Sequence, residues 1–126
     1  MATDINDLKN SVDGGLSLAP TVRTASANGT AVDLITTDGG GFAVVQTGTL
    51  TDASHNISLE EGDKSDGSDA VAITGATQAI AATDDNKQFL ISFRRSKRYV
   101  RAVTTLVGAT TGGIVGVSIY AMRKAG

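Results

Sequence analysis

At 126 residues with a net charge of −2 and no cysteine, the chain has the size of one domain. It can form neither a disulfide framework nor a thiolate metal site, and no global charge draws it to nucleic acid. Three Phe, two Tyr and no Trp make for a lightly built core, so association with copies of itself or with a larger body is an expected source of stability.

The N-terminus is acidic and polar and lacks the order of a signal peptide. Ile5, Leu8 and Val12 have helix-like spacing behind Thr3 or Asp4 as N-cap. Residues 1–14 therefore read as an arm or a single helical turn ended by Gly14-Gly15, and residues 15–126 as one β-domain. Leu16 to Ala25 reads as a strand broken by Pro20, the mark of an edge or a bulge. Asn28-Gly29 is a tight-turn dipeptide, followed by a short strand from Ala31 to Ile35. Asp38-Gly39-Gly40-Gly41 reads as a turn, Phe42 to Leu50 as a strand, and Asn56 to Glu61 as another. Glu60 to Asp69 is a polar loop, Val71 to Ile73 a brief strand, and Gly75 to Asp85, rich in Ala and Thr, gives no clear element.

Gln88 to Arg94 is a strand with Phe89, Ile91 and Phe93 on one side, and all three Phe read as core. The chain closes with a predicted long β-hairpin, Ser96 to Thr105 against Ile114 to Ala121, turning at Gly108-Ala109-Thr110-Thr111-Gly112-Gly113. Along it Arg98, Val100, Ala102 and Thr104 share one face, and Tyr99, Arg101, Val103 and Thr105 the other. The apolar stretch from Gly112 to Met122 is far short of the roughly 18 residues of a membrane span. A soluble chain made in the cytoplasm, with no membrane partner, is expected. About seven or eight short strands with regular turns argue for an all-β fold, an antiparallel β-sandwich or jelly-roll-like barrel.

Few residues suggest chemistry. His55 is the only histidine and reads as a loop residue between two strands. Asp63, Asp66 and Asp69 raise a calcium site, but they recur every three residues and lack a bidentate Glu, so a solvated turn rich in Asp is favoured. No phosphate-cradling glycine loop is present. No enzyme, cofactor or metal is expected. Five of the 11 basic residues, Arg94, Arg95, Lys97, Arg98 and Arg101, fall within eight positions, and five of the 13 acidic ones within residues 60–69. That predicts a positive edge and a negative loop, suited to docking on another surface. Nucleic acid is not the expected partner, since Tyr99 is the one stacking aromatic in the basic run.

Three stretches, read in order, carry a resemblance. They are Val44-Val45-Gln46-Thr47-Gly48-Thr49-Leu50-Thr51-Asp52, Ile57-Ser58-Leu59-Glu60-Glu61-Gly62-Asp63 and Ser96-Lys97-Arg98-Tyr99-Val100-Arg101-Ala102-Val103, the last followed by the Gly108–Gly113 turn. Over residues 15–121 the chain resembles the small capsid decoration or cement proteins of tailed bacteriophages and prophages. The resemblance implies a virion structural protein that binds the outer surface of an icosahedral head, often as a homotrimer, with the major capsid protein as partner. Arg94, Arg95, Lys97 and Arg98 are then candidate anchors to an acidic shell, and Ile5 and Leu8 candidates for contact with an adjacent copy. A carbohydrate-binding β-sandwich and a head–tail connector or tail protein are the alternatives.

Overall fold

The computed structural model describes residues 8–124. One helical turn, α1 (Leu8–Ser11), leads into nine strands: β1 (Val12–Arg23), β2 (Ala27–Asn28), β3 (Val32–Asp33), β4 (Thr37–Leu50), β5 (Ser54–Gly62), β6 (Val71–Gln78), β7 (Gln88–Arg94), β8 (Tyr99–Val107) and β9 (Gly113–Arg123). They form two antiparallel sheets. The first has the order β1-β9-β4-β7, and the second β2-β8-β5-β6, with β3 also paired to β8.

Taken as one interrupted strand, β2 and β3 complete a long folded hairpin. Its rungs are β1 with β9, β2/β3 with β8, β4 with β7 and β5 with β6. The further pairs β4–β9 and β5–β8 roll that hairpin up. This is a jelly roll, as the strand signals suggested.

The core is what the two inner faces share. Ala43, Val45, Ile91, Phe93, Val115, Val117, Ile119 and Ala121 come from the first sheet, and Ile57, Leu59, Ile73, Ala76, Val100 and Ala102 from the second. Small β-branched and Ala side chains fill most of it, the consequence of so few aromatics. Pro20 lies on an edge strand, where its missing N–H leaves no ladder bond unmade. The register of β1 against β9 slips on both sides of Leu18, so Ser17 and Leu18 are both buried.

Several sequence expectations are corrected. β8 and β9 are not a hairpin: they belong to different sheets, and residues 108–112 carry the chain across the sandwich. Each strand has one apolar face, and stacking those faces buries both, whereas edge pairing would bury neither. The glycines 39–41 are not a turn but part of β4. Gly41 is needed because a Cβ there would lie 2.6 Å from the Tyr120 carbonyl oxygen and 2.7 Å from the Phe93 ring. β1 begins at Val12, and Val12, Asp13 and Gly14 already pair with Met122, Ala121 and Tyr120. The segment 75–85, given no element from sequence, supplies the end of β6.

Candidate functional site

The basic run is largely spoken for within the chain. Arg95 is half-buried: its Nη2 donates to the Thr37 carbonyl (2.7 Å), its Nε to Thr37 Oγ1 (3.3 Å) and its Nη1 to the Lys97 carbonyl (3.0 Å). It ties the β7–β8 connection to the start of β4. Arg98 grips Asp33 with two bonds of 3.0 and 2.8 Å and lies over the Tyr99 ring at 5.0 Å. Arg101 meets Glu60 Oε1 through Nε (3.0 Å) and Nη2 (2.8 Å), and Lys97 reaches Asp63 at 3.5 Å. Among the described residues only Arg94 of this run has no acidic or hydrogen-bonding partner for its side chain.

The expected separation into a positive edge and a negative loop is therefore replaced by local neutralisation. β5 and β8 are neighbours, and their register sets Glu60 opposite Arg101 and Gly62 opposite Tyr99. Of the other candidates, Leu8 opens α1, and Ile5 lies outside the described residues.

Carboxylates also pin the turns. Asp52 follows β4, and its side chain accepts N–H bonds from Thr110 (3.1 Å), Thr111 (3.0 Å) and Gly112 (2.7 Å) in the β8–β9 crossing. These bonds, Thr111 first and Gly112 next, hold its pKa below the ordinary value of 3.8. Glu61 accepts from the backbone N–H of Ser96 (2.6 Å) and Lys97 (3.0 Å). Asp69 accepts from Asp63 (3.0 Å) and Lys64 (3.2 Å), closing the acidic loop, and Asp66 accepts from Ser68 (2.9 Å). The loop is a set of turns capped by aspartates. Among the described residues no three His, Cys, Asp or Glu are grouped to hold a metal ion.

His55 is not a loop residue. It is fully buried near the start of β5, in line with the inward-facing Ile57 and Leu59. The β4–β5 connection is so short that β5 has begun by Ser54, and the alternation carries His55 into the core. Its backbone N–H donates to Ile80 O (2.9 Å), and its Nε2 lies 3.2 Å from the Asp52 carbonyl. Its Nδ1 and Thr104 Oγ1, on the neighbouring β8, are buried without a partner. A histidine sealed in this way reaches no substrate.

Two surfaces remain. On the outer face of the second sheet an open depression of about 430 Å³ is lined by Asn56, Ile57, Ser58, Thr77, Gln78, Ala79 and Thr105, with no aromatic ring. The outer face of the first sheet differs. Leu16, Ser118, Val44 and Leu90 form one row across it, and Gly14, Tyr120, Phe42 and Ser92 the next. Phe42, read from sequence as core, stands here against Tyr120 with ring centroids 5.7 Å apart. The alternation that buries Ala43 and Val45 turns it outward. Leu90 is 63% exposed, Val22 59% and Leu16 52%, although all three are large and apolar. Sequence reading missed this face because it is assembled from four strands distant in the chain.

No protein-family model matches the chain, and no curated protein matches its sequence. Among the described residues no helix is long and apolar enough to cross a membrane.

Proposed function

We propose that the chain is a virion structural protein, a decoration or cement subunit that attaches to the outer surface of an icosahedral phage head and acts by binding rather than by turnover. One observation supports this above the rest: the stretches that carry the resemblance are contact partners. The segment ending in Asp52 holds the Gly108–Gly113 turn, and the segment with Glu60, Glu61 and Asp63 holds Ser96 to Arg101. The order of these stretches along the chain carries the resemblance, and their contacts make them the clamps of one jelly roll.

In this reading the clamped turns give a stiff subunit whose loops cost little entropy on docking. Of the basic run, Arg94 is the cation left to face an acidic shell surface, while Arg95, Lys97 and Arg98 shape the molecule first. An exposed ion pair contributes only about 0–1 kcal/mol, so attachment relies on many symmetry-related copies. The test is co-sedimentation with purified heads that lack this protein. The chain is expected in the pellet at moderate salt, with Arg94→Glu lowering the bound fraction. A chain that stays in the supernatant refutes the assignment.

A further inference from the structure

We infer that the outer face of the β1-β9-β4-β7 sheet is the seat of a second copy of this chain, packed face to face about a two-fold axis. The first ground is charge. The chain carries 24 formally charged residues, yet the paired positions of this face are Val12, Met122, Gly14, Tyr120, Phe42, Ser92, Leu16, Ser118, Val44, Leu90, Gly116, Gln46, Gln88, Val22 and Ile114, all uncharged. Arg94, opposite Gly40 at one corner, is the exception. The outer face of the other sheet, in contrast, carries Asp33, Glu60 and Arg101 beside Asn28, Asn56 and Thr105. A face without charge offers no complementarity by which to choose a dissimilar charged partner, whereas an isologous contact asks only that the patch fit itself.

The second ground is shape and area. The face is a sheet surface rather than a groove, and the surface best matched to a twisted, pleated sheet is another of the same twist, stacked about 10 Å away. From Ile114 to Met122 it runs about 26 Å, and its four strands span about 19 Å, so it offers about 500 Å² in projection. Two such faces together hide about 1,000 Å², the lower bound of a specific interface. The pair should therefore form and dissociate in a concentration range accessible to measurement. A two-fold pair differs from the trimers that the resemblance implies. It rests on the uncharged rows of this face, whereas attachment to a shell is assigned to Arg94 at its corner, so each reading is tested by its own variants.

Sedimentation velocity of the full chain from about 1 μM to about 1 mM tests it, a range that covers weak self-association. The wild-type chain is expected to pass from monomer to dimer. Leu90→Lys and Leu16→Lys should each raise the dissociation constant roughly tenfold or more, because each places a charge inside an apolar contact. Thr105→Lys, on the opposite sheet, should leave it unchanged. Should a lysine variant lose its native circular dichroism, Ser92→Glu, at an exposed polar position of the same face, gives the same reading. A wild-type chain that is monomeric throughout, a trimer, or a dimer that survives these substitutions overturns the inference. Pelleting with heads, measured separately, reads the other assignment.

Discussion

Ser17 belongs to β1, in one sheet, yet its hydroxyl completes the hydrogen bonding of β8 in the other. β8 pairs with β2 at Thr104 and with β3 at Val100, which leaves Ala102 opposite a gap between the two short strands. Gly29 N–H fills half of that gap by donating to the Ala102 carbonyl (2.7 Å). Ser17 Oγ fills the rest: it accepts from Ala102 N–H (2.8 Å) and donates to the Thr30 carbonyl (2.8 Å). The fit excludes a side chain at residue 29, where a Cβ would lie 2.5 Å from Ser17 Oγ. Ser17→Ala strands a buried N–H, and an unmade buried bond costs about 1–3 kcal/mol. Urea unfolding should show a loss of that size, while Ser118→Ala, on the outer face, should stay within about 0.5 kcal/mol of wild type. Equal stabilities for the two variants would contradict this role for Ser17.

At the scale of elements, the crossing from β8 to β9 decides the fold. A turn that merely reversed the chain would pair the two strands edge to edge. Here Gly108 and Gly112 adopt φ of 81° and 79°, and Gly112 admits no Cβ because one would lie 1.9 Å from the Arg23 carbonyl oxygen. Asp52 then holds the N–H groups of residues 110–112 from the neighbouring β4–β5 connection, which crosses between the sheets at the same end. Asp52→Ala removes the acceptor without touching the core. The expected result is faster amide exchange at Thr110, Thr111 and Gly112 and a lower Tm, with the far-UV spectrum retained. Unchanged exchange at these amides would show that the turn holds itself.

For the whole molecule, the aspartates make stability depend on pH with a definite sign. Asp13, Asp33, Asp52, Asp66, Asp69 and Asp84 all have pKa values below the ordinary 3.8 in the folded chain. The leading causes are a hydrogen bond from Thr36 for Asp13, one from Arg98 for Asp33, and backbone N–H groups for the other four. Because the unfolded chain takes up these protons first, the stabilisation is fully present above the unfolded pKa and is lost as pH falls through the lower folded values. Tm should be level from about pH 8 to about pH 5 and drop below about pH 4, the range where free carboxylates titrate. An Asp33→Ala, Asp52→Ala double variant should be less stable at neutral pH and show a shallower acid drop. A Tm that fell no faster in wild type than in that variant would remove the carboxylates from the account.

The sequence by itself determined which residues share a face. Period-two alternation placed Val100, Ala102 and Thr104 together on one face of β8, which the structure buries, and Phe89, Ile91 and Phe93 on one side of β7, and Pro20 marked an edge or a bulge. These are local properties of an extended backbone, so neighbouring residues suffice to read them. Only the tertiary structure decided which strand lies beside which. That choice sent β8 and β9 to opposite sheets, drew residues 39–41 into β4, buried His55, set Glu60 against Arg101 and gathered Leu16, Val44 and Leu90 onto one uncharged face. Strand partners are chosen by the burial of whole faces, a sum over residues up to a hundred positions apart in the chain, and no short window of sequence contains that sum.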